Sequence, residues 1–490
     1  MKQLLTNISV LLGVILLGNF IYKRYFFEQD LRKYSPLIEQ INAIAPTTDV
    51  VYLGESSNTT FRDDDVDKRS IAQFMGDQLP NLTVAQITQP AGHVGTYKAL
   101  LSFLLARNTW KPRAVVITLN LRSFSPEWRC SNLENALQES LIMLRNNPPL
   151  INRMMLSFSY YSKHSEKENE RCKESLWKEK LAFLDPELPY NNAAQWVKAI
   201  EKNDTLSWEV KELTAHYIRA YAFEIDTANN ERIAAMEEII AMLIERGINP
   251  VFHIVAENVD RLHELAGEPI ANNTLRNADL LSRWLTDRNV SVVNNIALVR
   301  DEDFTDRHWT TEHYSEQGRH VLAQQLAMQL SSLLNTTFSA TYPFSKRYKG
   351  EFFNDCEPNS DWGDSNTLTS QKALSGQFSS CIMVDQPYSI TFEYPLAYLP
   401  EDRRNNIVFQ FSYYGPAPKG ALAIMQTTGD NAVFESASFG QHSDYISDWN
   451  TATITYQLNE EIIRGRTIKL YVHSENNVPF YCDDFSVVFH

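Results

Sequence analysis

Two short segments far apart in the chain carry residue types that can act together as a nucleophile and a base. Residues 50–58, VVYLGESSN, form an apolar run that ends in a glycine-containing turn and in Ser56. Residues 312–318, EHYSEQG, place His313 directly before a helical pattern. A serine hydroxyl becomes a nucleophile when a base takes its proton and donors stabilise the oxyanion that forms. The pair predicts a serine ester hydrolase or acyltransferase.

Glycine and polar residues follow the other predicted strands. Gly92 and Gly95 lie in the loop after the second strand, Asn120 follows the third, and His313 comes after the last. The carboxyl ends of parallel strands meet at one edge of a sheet, and ligands bind there. We therefore expect these residues to gather around Ser56. Their order along the chain indicates more than any one of them does.

The elements that must position these residues are predicted from hydrophobic periodicity. Short apolar runs bounded by turn or polar residues are typical of buried strands, and they alternate with helical patterns such as 97–107 and 230–246. This alternation predicts an α/β fold with a parallel sheet covered by helices on both faces. The predicted strands are residues 49–53, 83–87, 114–119, 250–255 and 290–295.

The alternation of strands and helices is interrupted once and then ends. Residues 130–224 are helical, aromatic-rich and polar, which predicts an insertion over one end of the sheet. Beyond residue 334 a linker at 341–345 leads into alternating polar and apolar residues, which are typical of an antiparallel β-sandwich. The predicted units are residues 1–27 as membrane anchor and flank, 28–340 as the α/β domain and 346–490 as the sandwich.

The N-terminal segment and the net charge indicate where the protein works. Residues 4–22 carry no charge and are numerous enough to span a bilayer. Bulky and charged residues 22–27 follow in place of a small-x-small cleavage site, so we predict an anchor that is not cleaved. The net charge of −15 argues against a nucleic-acid partner. We expect a body tethered by a single helix outside the cytoplasm.

The five cysteines support the same location. Their spacing contains no CxxC pair and no Cys/His pattern of a zinc site, so we expect no metal and no cofactor. We predict a disulfide between Cys130 and Cys172 and a second one within the set Cys356, Cys381 and Cys482; the alternative is five buried thiols. Disulfides persist outside the cytoplasm.

With these residues identified, the chain resembles the SGNH (GDSL-like) hydrolase superfamily over residues 47–335. Members of that superfamily carry a nucleophilic serine in a Gly-Asp-Ser block, an oxyanion glycine and asparagine in two middle blocks, and a histidine in the last. Gly54-Glu55-Ser56 is similar to the first block with glutamate in place of aspartate. His313, followed five residues later by Gly318, is similar to the last block.

The resemblance implies a three-layer, flavodoxin-like fold and a role for each matching residue. Ser56 would be the nucleophile, and its backbone N–H would also serve the oxyanion hole. Gly92 or Gly95 would add a second backbone N–H, and Asn120 a side-chain N–H. His313 would be the base.

The third member of the catalytic triad is less clear, because the superfamily usually has aspartate three residues before the histidine and this chain has Thr310. Residues 306–310, DRHWT, are similar to the Asp-x-His-Trp-Thr motif of the alginate O-acetyltransferase relatives, which would make His308 the base. The spacing to the later glycine favours His313 instead. Asp306 is the predicted acid in either case.

Other side chains are weaker candidates for binding substrate. Arg122 either binds an anionic or acyl-donor group or forms a salt bridge within the insertion, and Trp309 either packs on substrate or wedges the catalytic loop. The sandwich is similar to the jelly-roll modules that accompany carbohydrate-active enzymes. In it, Tyr413, Tyr414 and Trp449 are candidates for stacking on sugar rings, and a purely structural module is the alternative.

These predictions combine into a membrane-anchored, extracytoplasmic serine esterase or O-acyltransferase. Its substrates would be acyl esters, foremost acetyl esters, of a cell-envelope or exported polysaccharide. By analogy with the family, a membrane acyltransferase partner would deliver the acyl group if the enzyme transfers it. The alternatives are a catalytically silent glycan-binding scaffold on a degenerate SGNH core, and a lipid esterase or thioesterase.

Overall fold

The computed structural model describes two compact units. Their bounds are Met1–Thr341 and Tyr342–His490. The described residues are 2–106, 110–161, 165–310, 312–339, 350–357, 362–396, 399, 403–429, 432–440, 448–463, 467–475 and 478–490. The predicted linker at 341–345 lies outside these ranges.

A five-stranded parallel sheet forms the centre of the first unit. Its strands are β1 (Val50–Gly54), β2 (Val84–Thr88), β3 (Ala114–Leu119), β4 (Asn249–Ile254) and β5 (Ser291–Asn294). They lie in the order β2-β1-β3-β4-β5, which is the flavodoxin-like order of doubly wound sheets. All residues of β1 and β3 are buried, and this is why both strands are continuous apolar runs. The predicted α/β class is confirmed.

Helices cover this sheet and fill the connections between its strands. They are α1 (Lys2–Tyr25), α2 (Phe27–Tyr34), α3 (Leu37–Ala43), α4 (Ile71–Asp77), α5 (Val94–Leu105), α6 (Pro126–Arg129), α7 (Leu133–Ile142), α8 (Pro149–Ser157), α9 (Glu166–Trp177), α10 (Ala193–Glu201), α11 (Trp208–Tyr221), α12 (Glu231–Glu245), α13 (Val259–Ala266), α14 (Glu268–Thr286) and α15 (Glu316–Leu334). Because crossovers between parallel strands are right-handed, α4 and α15 pack together on one face, and α5 and α12 on the other.

The segment between β3 and α12 is the helical insertion that the sequence predicts. It contains α6 to α11, and α13 and α14 complete a hydrophobic cluster in which Trp196, Tyr217 and Tyr221 are buried. The disulfide between Cys130 and Cys172 joins the end of α6 to α9. The first of the two predicted disulfides is therefore confirmed.

The first helix is apolar along its length, and only its end packs on the unit. The apolar stretch within Thr6–Tyr25 has a mean hydropathy of 1.4, and 6% of that stretch is buried. Among the described helices, only this one is long and apolar enough to cross a membrane. Near its end, the side chain of Asn19 accepts a hydrogen bond from the N–H of Leu150 in α8 at 3.0 Å. Asp30 in α2 pairs with Arg153 of the same α8 at 3.0 Å. By length and composition the helix is either an anchor or a signal sequence.

The second unit is a sandwich of two antiparallel sheets. Its strands are β6 (Glu351–Asn354), β7 (Leu368–Thr369), β8 (Ser379–Ile382), β9 (Phe392–Pro395), β10 (Asn406–Tyr414), β11 (Leu422–Thr427), β12 (Phe434–Ser438), β13 (Trp449–Gln457), β14 (Thr467–His473) and β15 (Phe480–Phe489), with α16 (Glu460–Ile463) before β14. One sheet has the order β13-β10-β15-β8-β7 with β6 beside β15, and the other β12-β11-β14-β9. Phe392 of the second sheet packs on Phe352 and Phe489 of the first, which confirms the predicted sandwich.

The predicted second disulfide is wrong. Cys356, Cys381 and Cys482 are unbonded and buried. In the pairing of β8 with β15, Cys381 lies opposite Tyr481 and Cys482 opposite Ser380, so the two thiols point to opposite faces of the sheet. The Cys356 thiol lies 3.8 Å from the backbone oxygen of Cys482 instead.

The predicted exposure of one aromatic residue of the sandwich is also wrong. Tyr413 is 3% exposed and packs between Phe439 and Phe480 in the interior. Tyr414 and Trp449 form an edge-to-face pair with ring centroids 5.6 Å apart. Of the three candidates for stacking on sugar, only this pair remains.

The disulfide of the insertion yields a prediction about stability. Cys172→Ser is expected to lower the free energy of unfolding of the first unit by about 4 kcal/mol, because the bridge closes a long loop in the unfolded chain. Urea unfolding followed by tryptophan fluorescence measures the change. Cys381→Ser, which removes an unbonded thiol in the second unit, is the matched control. An unchanged first-unit midpoint in Cys172→Ser would show that the bridge is not formed.

Candidate active site

The strand register brings the predicted residues to one edge of the sheet. Leu53 in β1 pairs with Ile117 in β3, and continuing this register places Ser56 level with Asn120. Ser56 begins a single 3-10 turn after β1. Gly54 is required before that turn, because a Cβ there would lie 2.6 Å from a tyrosine ring of the same strand. The chain thus lifts the serine above the carboxyl end of β1.

The side chain of His313 meets Ser56 at this edge. A hydrogen bond of 3.0 Å joins His313 Nε2 to Ser56 Oγ. The next residue, Tyr314, is buried and donates to the backbone oxygen of Ala256 at 2.7 Å, and Ser315 caps α15. Burial lowers the pKa of His313, and this favours the neutral imidazole that a base requires.

The alternative base and the predicted acid lie elsewhere. His308 is exposed, and its backbone N–H donates to Asp306 Oδ1 at 3.0 Å. The negative charge of Asp306 acts on His313 only as the weakest of four influences on its pKa. Among the described residues, no carboxylate is hydrogen-bonded to the His313 ring. The structure therefore brings His313 to Ser56, and among the described residues no hydrogen bond joins Asp306 to either imidazole.

Of the predicted oxyanion donors, Asn120 has the most suitable surroundings. It is 2% exposed, and neither atom of its side-chain amide has a hydrogen-bond partner among the described residues. Burying an amide without a hydrogen-bond partner costs free energy, and a ligand that bonds to the amide would recover that cost. The N–H of Gly92 donates to Gln89 O at 2.8 Å, and the N–H of Gly95 donates to His93 Nδ1 at 3.0 Å. Those contacts give the two glycines no support as donors.

A clamp that the sequence did not predict holds the loop that carries His313. The guanidinium of Arg122 forms a bidentate ion pair with Glu312. Arg122 lies two residues after Asn120, and Glu312 directly precedes His313. It also donates to Thr310 Oγ1 at 3.1 Å. Arg122 was predicted to bind substrate or to pair within the insertion, but its charge is taken up by the histidine loop. The adjacency of Glu312 to the histidine was the available sequence signal.

Helix α11 of the insertion holds the same loop from the other side. A hydrogen bond of 2.9 Å joins Thr310 Oγ1 to His216 Nε2. The ring of Trp309 stacks on His216 with centroids 3.8 Å apart, and Tyr217 donates to the Trp309 backbone oxygen at 3.3 Å. Trp309 is nevertheless 49% exposed, so its ring remains available to a substrate.

Buried carboxyl groups outnumber cations around the site. Glu55, Glu257 and Glu312 are each at most 2% exposed, and in the described part of the chain Arg122 is the one cation bonded to any of them. Burial and the charge of Glu312 raise the pKa of Glu257 well above its usual range, and Tyr221 donates to Glu257 at 2.5 Å. Burial and the same charge raise the pKa of Glu55 to about 7. Some of these carboxyls are therefore neutral at physiological pH.

No protein-family model matches the sequence, and no curated protein matches it. Weak similarities to solved structures exist. An acetylxylan esterase from Geobacillus stearothermophilus gives a TM-score of 0.30 at 10% identity, covering 61% of this chain and 99% of that chain. The C-terminal family 22 carbohydrate-binding module of a Clostridium thermocellum xylanase gives 0.19 at 12% identity, covering 25% and 78%.

A family 16 carbohydrate-binding module gives a TM-score of 0.20 at 13% identity, covering 26% of this chain and 89% of that chain. Scores this low carry no argument about function. The assignment of the fold therefore rests on the strand order, and the assignment of the site on its contacts.

The clamp yields a prediction for a double-mutant cycle. Arg122→Met is expected to lower the free energy of unfolding by about 3 kcal/mol, because Glu312 stays buried without its cation. Adding Glu312→Leu is expected to restore most of that loss, since the pair is then replaced by apolar groups. Urea unfolding measures both variants. Lys98→Met, at an exposed ion pair, is the control and should change little; an equal effect there would contradict the clamp.

Proposed function

We propose that this protein is a serine esterase or O-acyltransferase of the SGNH type that acts on acetyl esters of a polysaccharide. The observation that carries the proposal is the 3.0 Å hydrogen bond between His313 Nε2 and Ser56 Oγ at the carboxyl edge of a flavodoxin-like sheet. The unpartnered amide of Asn120 at the same level of the sheet supports it.

In the proposed reaction, Ser56 Oγ attacks the acyl carbonyl while its proton passes to His313 Nε2. Asn120 donates its side-chain N–H to the oxyanion of the tetrahedral intermediate. His313 then gives the proton to the leaving sugar hydroxyl, and an acyl-enzyme remains. Water or another sugar hydroxyl accepts the acyl group by the reverse sequence of proton transfers. The sequence of steps uses no cofactor.

Orientation of the base is proposed to come from the clamp, since no carboxylate among the described residues bonds the His313 ring. Arg122 bonds to the side chains of Thr310 and Glu312, which both lie just before His313 in the chain. In a serine triad the aspartate both orients the imidazole and stabilises its positive charge. Here burial lowers the pKa of the His313 imidazole, the charge of Glu312 raises it, and the charge of Arg122 lowers it again. In the proposed site the clamp therefore takes over the orienting function of the usual acid and little of its electrostatic function.

Several features support an extracytoplasmic, membrane-anchored body. The Cys130–Cys172 disulfide fits an oxidising compartment. The last turns of α1 contact α8, and a cleaved signal peptide would have no reason to form such contacts. The sandwich is proposed to bind the polysaccharide, and a membrane acyltransferase partner would supply acyl groups for transfer.

A catalytically silent glycan-binding scaffold is the second candidate. The observation that favours it is the lack of a carboxylate bonded to His313 among the described residues. Retained binding of a polysaccharide by a chain without turnover would support this candidate over the enzyme. Preference for long-chain over acetyl esters would instead support a lipid esterase.

Turnover of acetyl esters by the full chain in detergent tests the proposal. Ser56→Ala and His313→Ala are each expected to lower kcat about 1,000-fold or more, because each removes a group that handles the transferred proton. The substrates are 4-nitrophenyl acetate and an O-acetylated polysaccharide, the latter with and without an unacetylated acceptor glycan. His308→Ala, at the exposed histidine, is the matched control.

Two outcomes would contradict this prediction. Loss of activity in His308→Ala with activity retained in His313→Ala would transfer the role of base to the exposed histidine. If the folded wild type turns over neither substrate, the proposed enzyme function is wrong and the glycan-binding scaffold is favoured.

The contact of α1 with α8 predicts that the N-terminal helix is retained. The protein purified from membranes is expected to keep residues 2–27 and to need detergent for extraction. Intact mass spectrometry of the membrane-derived chain measures its N-terminus. A mature chain that begins after Tyr25 would show that the helix is a signal sequence.

A further inference from the structure

The nucleophile has two hydrogen-bond partners and a single proton to give. Ser56 Oγ lies 3.0 Å from His313 Nε2 and also 3.0 Å from Glu55 Oε2. An ionised carboxylate can only accept, and so can the free nitrogen of a neutral imidazole. When both groups are in these forms, they compete for the same hydroxyl proton. The protonation of Glu55 therefore decides which way the hydroxyl points.

The surroundings of Glu55 disfavour a charged carboxylate. The residue is 2% exposed. Burial and the charge of Glu312 raise its pKa, and they outweigh the hydrogen bonds from Ser57 and Ser56 that lower it. No lysine, arginine or histidine in the described part of the chain forms an ion pair with Glu55. Burial without a paired cation disfavours the ionised form of a carboxyl and raises its pKa.

The ionisable groups that face Glu55 come from several elements. Tyr52 of β1 and Tyr97 of α5 interact with its charge, and both are buried and neutral at ordinary pH. From the loop before α15 come Tyr314 and Glu312, and the negative charge of Glu312 adds to the effect of burial. Arg122 does not offset this effect, because its guanidinium is bonded to Glu312.

We propose that Glu55 is a catalytic residue that carries a proton in the active enzyme and withdraws the Ser56 hydroxyl from His313 when it ionises. The inference rests on the proposed serine chemistry and assigns a role to the glutamate that stands in place of the superfamily's aspartate. A neutral carboxyl that donates a hydrogen bond at a catalytic site is chemically well founded.

The proton and electron balance of the step is complete without another reactant. With Glu55 protonated, its O–H donates to one lone pair of Ser56 Oγ, and the Oγ–H donates to His313 Nε2. A second lone pair of Oγ forms the bond to the acyl carbon, the carbonyl electrons move to its oxygen, and the Oγ proton passes to His313. Glu55 keeps its proton throughout. When Glu55 is ionised, the Oγ–H donates to Oε2 and no proton reaches His313.

The consequence is a pH profile with an alkaline limb. Activity rises as His313 loses its proton, at a pH lowered by burial. It then falls as Glu55 ionises near pH 7. If the protonated form alone is active, kcat/KM is expected to fall about 50-fold between pH 7 and pH 9. An ordinary serine hydrolase has a plateau over that interval, because its only titrating group is the histidine.

The ratio of kcat/KM at pH 9 to that at pH 7 tests the role of Glu55. The substrate is 4-nitrophenyl acetate, and the enzyme is the full chain in detergent. Glu55→Gln cannot ionise, so its ratio is expected to be near one whatever its absolute rate. Glu55→Asp keeps an ionisable group and is expected to keep an alkaline limb. A wild-type plateau from pH 7 to pH 9, or the same fall in Glu55→Gln, would overturn the proposal.

A spectroscopic measurement separates this inference from the proposed function. Infrared difference spectra between pH 6 and pH 9 are expected to show a protonated carboxyl band that is lost in Glu55→Gln. If the wild type shows a carboxyl band that Glu55→Gln lacks, but no variant has turnover, the proposed enzyme function would be wrong and the protonated Glu55 would still be supported. If the wild type has turnover but shows no band assignable to Glu55, the proposed role of Glu55 would be wrong and the enzyme function would still be supported. Circular dichroism of each variant establishes that it is folded.

Discussion

Exclusion of water from the carboxyl edge of the sheet is the constraint on which the site depends. Glu55, Glu257 and Glu312 lie there with almost no exposure, and each would cost several kcal/mol if it stayed charged and unpaired. Arg122 pairs with one of them. The pKa values of the other two are raised by burial; Glu257 accepts a hydrogen bond from Tyr221, and Glu55 accepts one from Ser56. Burial therefore sets the protonation states before any substrate arrives.

The same constraint agrees with the lack of a carboxylate on the His313 ring among the described residues. A carboxylate bonded to the imidazole would add a further negative charge to an edge that already holds an excess of buried acids. The clamp holds the loop through side-chain contacts of Arg122 with Thr310 and Glu312. It leaves the imidazole of His313 without a bonded acid. Orientation is retained by this arrangement, whereas direct stabilisation of the imidazolium is weaker. The depressed pKa of His313 agrees with that division.

Much of this architecture followed from the sequence, because buried parallel strands are continuous apolar runs and their ends are punctuated by glycine or polar residues. All five strands of the parallel sheet and the approach of His313 to Ser56 were predictable in this way. The short strands β6 to β9 and β12 have two to five residues each, and runs this short have no clear periodicity from which to predict them. The clamp was missed because Arg122 and Glu312 are distant in sequence. The cysteine error arose because strand register, which decides the face of each thiol, cannot be read from composition.

The insertion links the stability of a peripheral region to the geometry of the catalytic loop. At one end the disulfide ties the segment after α6 to α9, and at the other α11 holds Trp309 and Thr310 through His216 and Tyr217. Backbone hydrogen bonds from Thr305 to His313 and from Ser315 to Asp303 also hold the loop before α15, and the side-chain contacts of α11 add to them. In the proposed reaction, a histidine without a direct acid needs this support more than one that has it. The helices over the sheet therefore contribute to the proposed site through the placement of His313.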